Sequence, residues 1–385
     1  MDDGKLSHIE IDALLSGCRR LMRRDPSVLV QIEHMVLALE YCLDNIPPGA
    51  CARHLRENVP DIVDSLTGGS IDAFSYETLR ALPRVLEAFE RITAPDAPGR
   101  YRDFAELVSE RMMFHRHILG EVPLEEVPAR FHGELAEYSP GRGGVYAHLV
   151  FVSRAPGSIR AFDIAKVLRA RLDARFIGEW SLTGSFEPII SFEKRIIEYT
   201  DPFAVQLKRS VYLAEDAAVR KHGIKELRKV PREYRFGVSP AGAGPDWAGL
   251  FTGGSAGLGF AMLAMAGIGS LELSRSAAAV SPECAFTGSL DDEGKVAGVE
   301  DLDIPAKTRA VFYSPCRRFI LPQENLAAAT KELERLEAAH PGRRLEFEAA
   351  GSAVELAERG EVLGTRPVSR RSVTGSRRSS SSGSF

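Results

Sequence analysis

FTGGSAGLGFAMLAMAG, residues 251–267, carries a glycine pair, one serine, and then small and apolar residues without a charge. Positions 256–266 read as a buried helix with Ser255 at its mouth. Three chemistries compete for that serine. A phosphate loop needs GxxxxGK[ST], with a lysine that reaches the phosphates; the next lysine after these glycines is Lys295. GxGxxG also fails, because Gly257 and Gly259 are followed by Met262. A serine N-cap is the plainest alternative, since its hydroxyl accepts from the amides of the first turn. The third reading is a nucleophile on a turn. A serine hydroxyl becomes nucleophilic only beside a base.

Working outward, residues 1–118 read as a helical domain. Apolar residues recur at helical spacing from Ile9 to Met22, Val28 to Leu43, Tyr76 to Ile92 and Tyr101 to Leu119. Residues 119–144 carry prolines and glycines and read as a linker. From Val145 the texture changes. Strands are expected at 146–152, in one or two pieces within 187–200, at 232–240, within 277–290, and at 317–322 and 344–350. Helices are expected at 161–176, 201–222, 256–266, at the start of 305–315, at 324–340 and 352–360. Asp201, Pro202 and Gly223 punctuate the second of these. DDEG, 291–294, reads as a hairpin-like turn. Helices and strands mix without strict alternation, which predicts an α+β domain over 145–362. Residues 363–385 are serine-rich and basic and read as a disordered tail.

Composition narrows the class. The chain has 385 residues, 44% hydrophobic and 26% charged, with a net charge of −4. That balance gives no bias toward nucleic acid. No apolar run is long enough for a membrane helix, and the acidic start lacks the apolar core of a secretory signal. Five cysteines with no CxxC suggest neither a disulfide framework nor a zinc knuckle, and fit a reducing cytoplasm. Cys284 and Cys316 read as buried strand residues. His115 and His117, two apart on a helix, do not share a face and read as surface residues. Trp247 reads as packing. No metal and no cofactor is expected.

For Ser255 the candidate base is Lys307, at the start of a helix with an apolar face. His222 and His340 fall in or at the end of helices and suit a triad poorly. Burial disfavours the ammonium form of a lysine, and Thr287 in AFTGSL could supply a hydroxyl partner. Backbone amides of Gly254 to Ala256 could form an oxyanion hole.

Residues of about 201–360 resemble the proteolytic domain of Lon proteases, a Ser-Lys peptidase family. The ordered pieces are DPFAVQLKRSVYLAEDAAVRKHGI, YRFGVSPAGA, GGSAG, AFTGSL, GKV, AKTRAV, RRFILPQEN and LEFEAAGSAVELA. The resemblance places the family's serine on Ser255, its lysine on Lys307 and its strand-end threonine on Thr287. It implies a fold of the ribosomal S5 domain 2-like class and an endopeptidase acting on peptides or unfolded proteins. It also implies a homo-oligomer, a ring of six, fed by a separate ATPase or adaptor, because no phosphate loop is read in this sequence. The pattern departs from the family at Thr252, where an acid is common, at Ser289, where glutamate is usual, and at Val299-Glu300-Asp301. Glu300, Asp301 and Asp303 thus stand close to Lys307 in sequence, and a carboxylate beside the amine would oppose its use as a base. Two alternatives stay open: a non-catalytic binding or oligomerisation protein that keeps the fold, and an adaptor whose helical domain is the active part.

Overall fold

A computed structural model describes residues 6–23, 29–66, 68–94, 101–138, 146–179, 185–192, 198–199, 201–222, 227–240, 250–251, 254–272 and 276–367. The N-terminal third is helical: α1 (His8–Met22), α2 (Leu29–Asn45), α3 (Pro48–Ser65), α4 (Gly68–Asp72), α5 (Tyr76–Thr93) and α6 (Arg102–Ile118). Their apolar stripes close one core around Leu14, Val36, Leu39, Val59, Leu82 and Val85. Ser7 starts α1 through a reciprocal capping box with Glu10. The sequence reading passed over α3, whose Pro48 opens the helix where a missing N–H costs nothing.

Residues 119–138 of the expected linker are structured. Two 3-10 turns lead into α7 (His132–Glu137). Arg111 of α6 makes a two-armed ion pair with Glu134, at 2.7 and 3.0 Å, and Phe114 packs on Phe131. Prolines shaped these turns without loosening them. Residues 139–145 lie outside the described residues.

Next come β1 (Tyr146–Ser153), β2 (Ile164–Phe176), β3 (Ile189–Phe192), β4 (Glu198–Tyr199), α8 (Asp201–His222), β5 (Arg232–Pro240), β6 (Leu250–Phe251) and α9 (Gly257–Glu272). The last part holds β7 (Ser276–Val280), β8 (Cys284–Phe286), β9 (Ser289–Leu290), β10 (Val296–Ala297), α10 (Ile304–Phe312), β11 (Arg318–Pro322), α11 (Leu326–Ala339), β12 (Glu346–Ala350), α12 (Ala353–Glu358) and β13 (Leu363–Pro367). Seven strands form one mixed sheet in the order β12-β11-β8-β1-β2-β5-β3. From β12 to β1 neighbours run parallel, while β1, β2 and β5 are joined antiparallel. The molecule is therefore a mixed α/β protein with a helical N-terminal region.

The expected helix at 161–176 is instead the long strand β2. Ile164, Leu168 and Leu172 stand four apart and mimic a helical face. Leu168, Ala170 and Leu172 also alternate with Arg169, Arg171 and Asp173, and the full register with β1 and β5 decides for the strand. The expected tail likewise begins too early: residues 363–367 form β13, paired antiparallel with β7. Residues 368–385, Gly223, Trp247 and Thr252 lie outside the described residues.

The sheet is buried on both faces. On one, α9 lies between the strands and α8. Its Leu258, Phe260, Met262, Leu263 and Ile268 are all buried, each gaining about 2 kcal/mol from burial. That gain outweighs the helix penalty of about 1 kcal/mol per glycine. The glycines have a steric reason as well: a Cβ on Gly259 would stand 1.9 Å from Leu149 Cδ2. On the other face sit α10 and the helical domain. A buried ion pair joins the two units there, Lys166 of β2 with Glu33 of α2.

Candidate functional site

The site lies where β8 ends. In the β8-α10-β11 and β11-α11-β12 units, helices cross between parallel strands, so the carboxyl ends of those strands share one rim. Thr287 and Gly288 follow β8 directly, and the turn 254–256 that opens α9 is tied to them. Gly288 N donates to Ser255 O at 2.8 Å, and Leu258 N donates to Gly288 O at 3.0 Å. Gly288 needs its missing side chain: its φ is +143°, and a Cβ would meet Val296 Cγ1 at 2.9 Å.

Lys307 sits in the first turn of α10 and is 1% exposed. Its Nζ donates to Thr287 Oγ1 at 2.9 Å, its one hydrogen-bond partner among the described residues. Thr287, itself buried, donates onward to Ser255 O at 3.3 Å. The chain Lys307–Thr287–Ser255 is thus continuous. It reaches Ser255 at the carbonyl, and no direct hydrogen bond joins Ser255 Oγ to Lys307 Nζ. Ser255 is half-buried and Ala256 buried.

Burial lowers the Lys307 amine to about 8, with Asp303 opposing the shift and Arg154 adding to it. Desolvation of the ammonium wins because no carboxylate contacts it. The neighbouring acids are engaged elsewhere. Glu300 pairs with Arg154 and Arg160. Asp303 lies 3.5 Å from each of the same two guanidiniums. Asp301 accepts from Asn325 Nδ2 at 2.7 Å. Proximity in sequence therefore did not become contact with the amine.

The amides around Ser255 divide into two sets. Gly257 N donates to Gly254 O at 3.1 Å and Leu258 N to Gly288 O, so both are occupied. The amides of Ser255 and Ala256 donate to no acceptor among the described residues. Two adjacent free amides at the mouth of a helix are suited to a developing oxyanion.

Sequence reasoning missed two supports. Gln206 of α8 clamps Leu290, its Nε2 donating to the carbonyl at 3.0 Å and its Oε1 accepting from the amide at 2.8 Å. A Cβ on Gly257 would stand 2.0 Å from Gln206 Oε1, so the glycine makes room for the clamp. Ser210 Oγ lies 2.7 Å from Gln206 O and 3.0 Å from Gly257 O, fixing the start of α9. The signal available was a polar Gln-x-x-x-Ser pair at i, i+4 in an amphipathic helix.

The remaining candidates separate from the site. His115 is buried, contrary to the expectation of a surface residue, and its Nδ1 lies 2.9 Å from Tyr313 O. His117 Nδ1 lies 3.1 Å from Val122 O. His340 belongs to the same helical–sheet seam, 3.2 Å from Glu121. Cys284 and Cys316 are buried free thiols, pushed up by burial to about 11 and about 12; Cys316 precedes β11 and is not in a strand. Asp291 caps its own turn, accepting from the amides of Glu293 and Lys295. Among the described residues, no helix is long and apolar enough to cross a membrane.

Comparison of the sequence with protein-family models and with curated proteins returned no match.

Proposed function

We propose that this chain is a serine endopeptidase with a Ser255–Lys307 nucleophile–base pair, built on a fold of the Lon proteolytic type. The observation that carries the reading is the Lys307 amine: fully buried, free of any carboxylate contact, and hydrogen-bonded to Thr287, which itself touches the Ser255 turn. An amine lowered to about 8 is neutral in about a tenth of molecules at pH 7, close enough to ambient pH to accept a proton and return it.

In the first half-reaction Ser255 Oγ attacks the carbonyl carbon of the scissile peptide and its proton passes to Lys307 Nζ. The amides of Ser255 and Ala256 hold the oxyanion. Collapse of the tetrahedral adduct breaks the C–N bond, and Lys307 gives its proton to the leaving amine. Water, deprotonated by the same amine, then hydrolyses the acyl-serine ester. Thr287 orients Lys307 throughout. Substrates are peptides or unfolded proteins, delivered by a separate ATPase or adaptor. The assembly is a homo-oligomer, six subunits in a closed ring of heterologous contacts.

A second reading, a non-catalytic protein that keeps the fold, draws on the missing direct Ser255–Lys307 hydrogen bond. Peptidase assays on an unfolded protein such as casein separate the two, combined with labelling by a serine-reactive fluorophosphonate at pH 8–9. Cleavage and labelling that vanish in Ser255→Ala and Lys307→Ala support the dyad. Equal turnover by Ser255→Ala removes that serine from the chemistry. Absence of both turnover and labelling in the unaltered chain favours the non-catalytic protein.

A further inference from the structure

We propose that His8, Asp12 and His54 form a site for one divalent transition-metal ion of the zinc type, bridging α1 and α3 in the helical domain. It stands apart from the Ser255 turn and does not depend on the reading of that turn. His8 and Asp12 are four apart at the start of α1, so both side chains project from one face. The capping box at Ser7 holds that first turn in place. His54 comes from the facing side of α3, and the candidate ligand atoms of all three residues lie within 4.8 Å of one another.

Two observations raise this trio above a chance cluster. His54 is 0% exposed, and neither of its ring nitrogens makes a hydrogen bond. A buried imidazole with neither nitrogen hydrogen-bonded calls for a partner. Its Nδ1 is nonetheless aimed at the cluster, 3.3 Å from Asp12 Oδ1, while His8 Nδ1 stands 3.7 Å from Asp12 Oδ2. A tetrahedral ion with ligands at about 2.1 Å sets those ligands about 3.4 Å apart. Each imidazole thus stands close to that spacing from one carboxylate oxygen, and a small rotation of the exposed His8 side chain brings the three donors around one ion.

The donor set selects the ion. Two imidazoles and one carboxylate suit zinc, nickel or copper, whereas calcium and magnesium require oxygen ligands. His8 is exposed, leaving the fourth position to solvent. Arg53 Nη2 reaches Asp12 Oδ2 at 3.2 Å. With the ion on Oδ1, that guanidinium becomes the outer partner that orients the carboxylate. Binding would pin α1 to α3. It would also brace the contact of α1 with the β1–β2 connection, where Gly17 lies against Pro156.

The full-length chain, stripped by chelator, is titrated with zinc chloride by calorimetry and followed by thermal unfolding. One ion per chain and a raised Tm are expected. Asp12→Asn and His8→Ala are each expected to weaken binding at least tenfold and to remove the Tm rise. His8 is exposed at the first position of its helix, so His8→Ala keeps the test valid even where a His54→Gln chain does not fold. Cobalt substitution is expected to give tetrahedral d–d bands without sulfur charge transfer. Absence of binding, affinity unchanged in both Asp12→Asn and His8→Ala, or a thiolate band from a cysteine ligand would each overturn the assignment.

Discussion

A partly buried lysine and a fully buried one face opposite chemistries. Lys166 of β2 donates to Ala73 O at 2.6 Å and pairs with the Glu33 carboxylate. The other oxygen of Glu33 accepts from Ser75 N at 2.8 Å and Thr78 Oγ1 at 2.9 Å. The ion pair, with Glu33 held by the two bonds to its other oxygen, fastens the helical domain to the sheet. Lys307 is buried more deeply, 1% exposed against 10% for the Lys166 side chain, yet meets a single neutral hydroxyl. Burial favours the neutral amine at Lys307 because the nearest carboxylates are engaged elsewhere. Arg154 and Arg160 hold Glu300 and Asp303 away from the amine.

Replacing each lysine by methionine should give the largest and most divergent effects. Lys307→Met is expected to lower peptidase turnover by about 10⁶-fold, the scale on which loss of the nucleophile or its base acts, measured on casein beside Ser255→Ala. Lys166→Met leaves Glu33 charged and buried and should cost about 3–5 kcal/mol in urea unfolding. Adding Glu33→Leu to it should recover most of that loss, because replacing a whole buried pair by apolar residues is close to neutral.

Lys307→Met should move stability the other way. The amine falls from an ordinary 10.5 to about 8 on folding, so below pH 8 the folded state holds a poorly solvated ammonium. Between pH 8 and 10.5 the unfolded chain keeps that proton and the folded chain releases it, so stability of the unaltered protein rises with pH across this window. The methionine variant lacks that rise and is expected to be more stable by about 3 kcal/mol below pH 8. Urea curves of both chains at pH 7 and pH 10.5 measure the difference; a constant offset would mean that Lys307 is solvated. The smallest effect belongs to Arg154→Met. It removes one of the two guanidiniums that hold Glu300 and Asp303, and a repelling cation, so the alkaline rise of activity should move up by less than about one pH unit.

Much of this frame was legible in sequence, and its gaps have physical causes. Helices α1, α2, α5 and α6 followed from their apolar spacing, and the strands β8, β11 and β12 followed from short apolar runs between helical patterns, though their parallel order did not. β2 did not, because Ile164, Leu168 and Leu172 satisfy the helical and the alternating period at once. Lys307 and Thr287, read as partners 20 residues apart, do share a hydrogen bond. The acids near Lys307 could be counted but not placed, since the arginines that capture them lie some 140 residues earlier. Gln206 was invisible for a similar reason: its role exists only against Leu290, 84 residues on.

The ribbon that β13 forms with β7 bears on where the protein can be shortened or labelled. All five residues from Leu363 to Pro367 zip onto Ser276–Val280, the strand that follows the buried helix α9 in the chain. A chain cut after Val362 would leave that strand with a naked polar edge, the kind of template on which copies stick to one another. Affinity handles and fluorophores belong past Pro367, where they leave the ribbon paired.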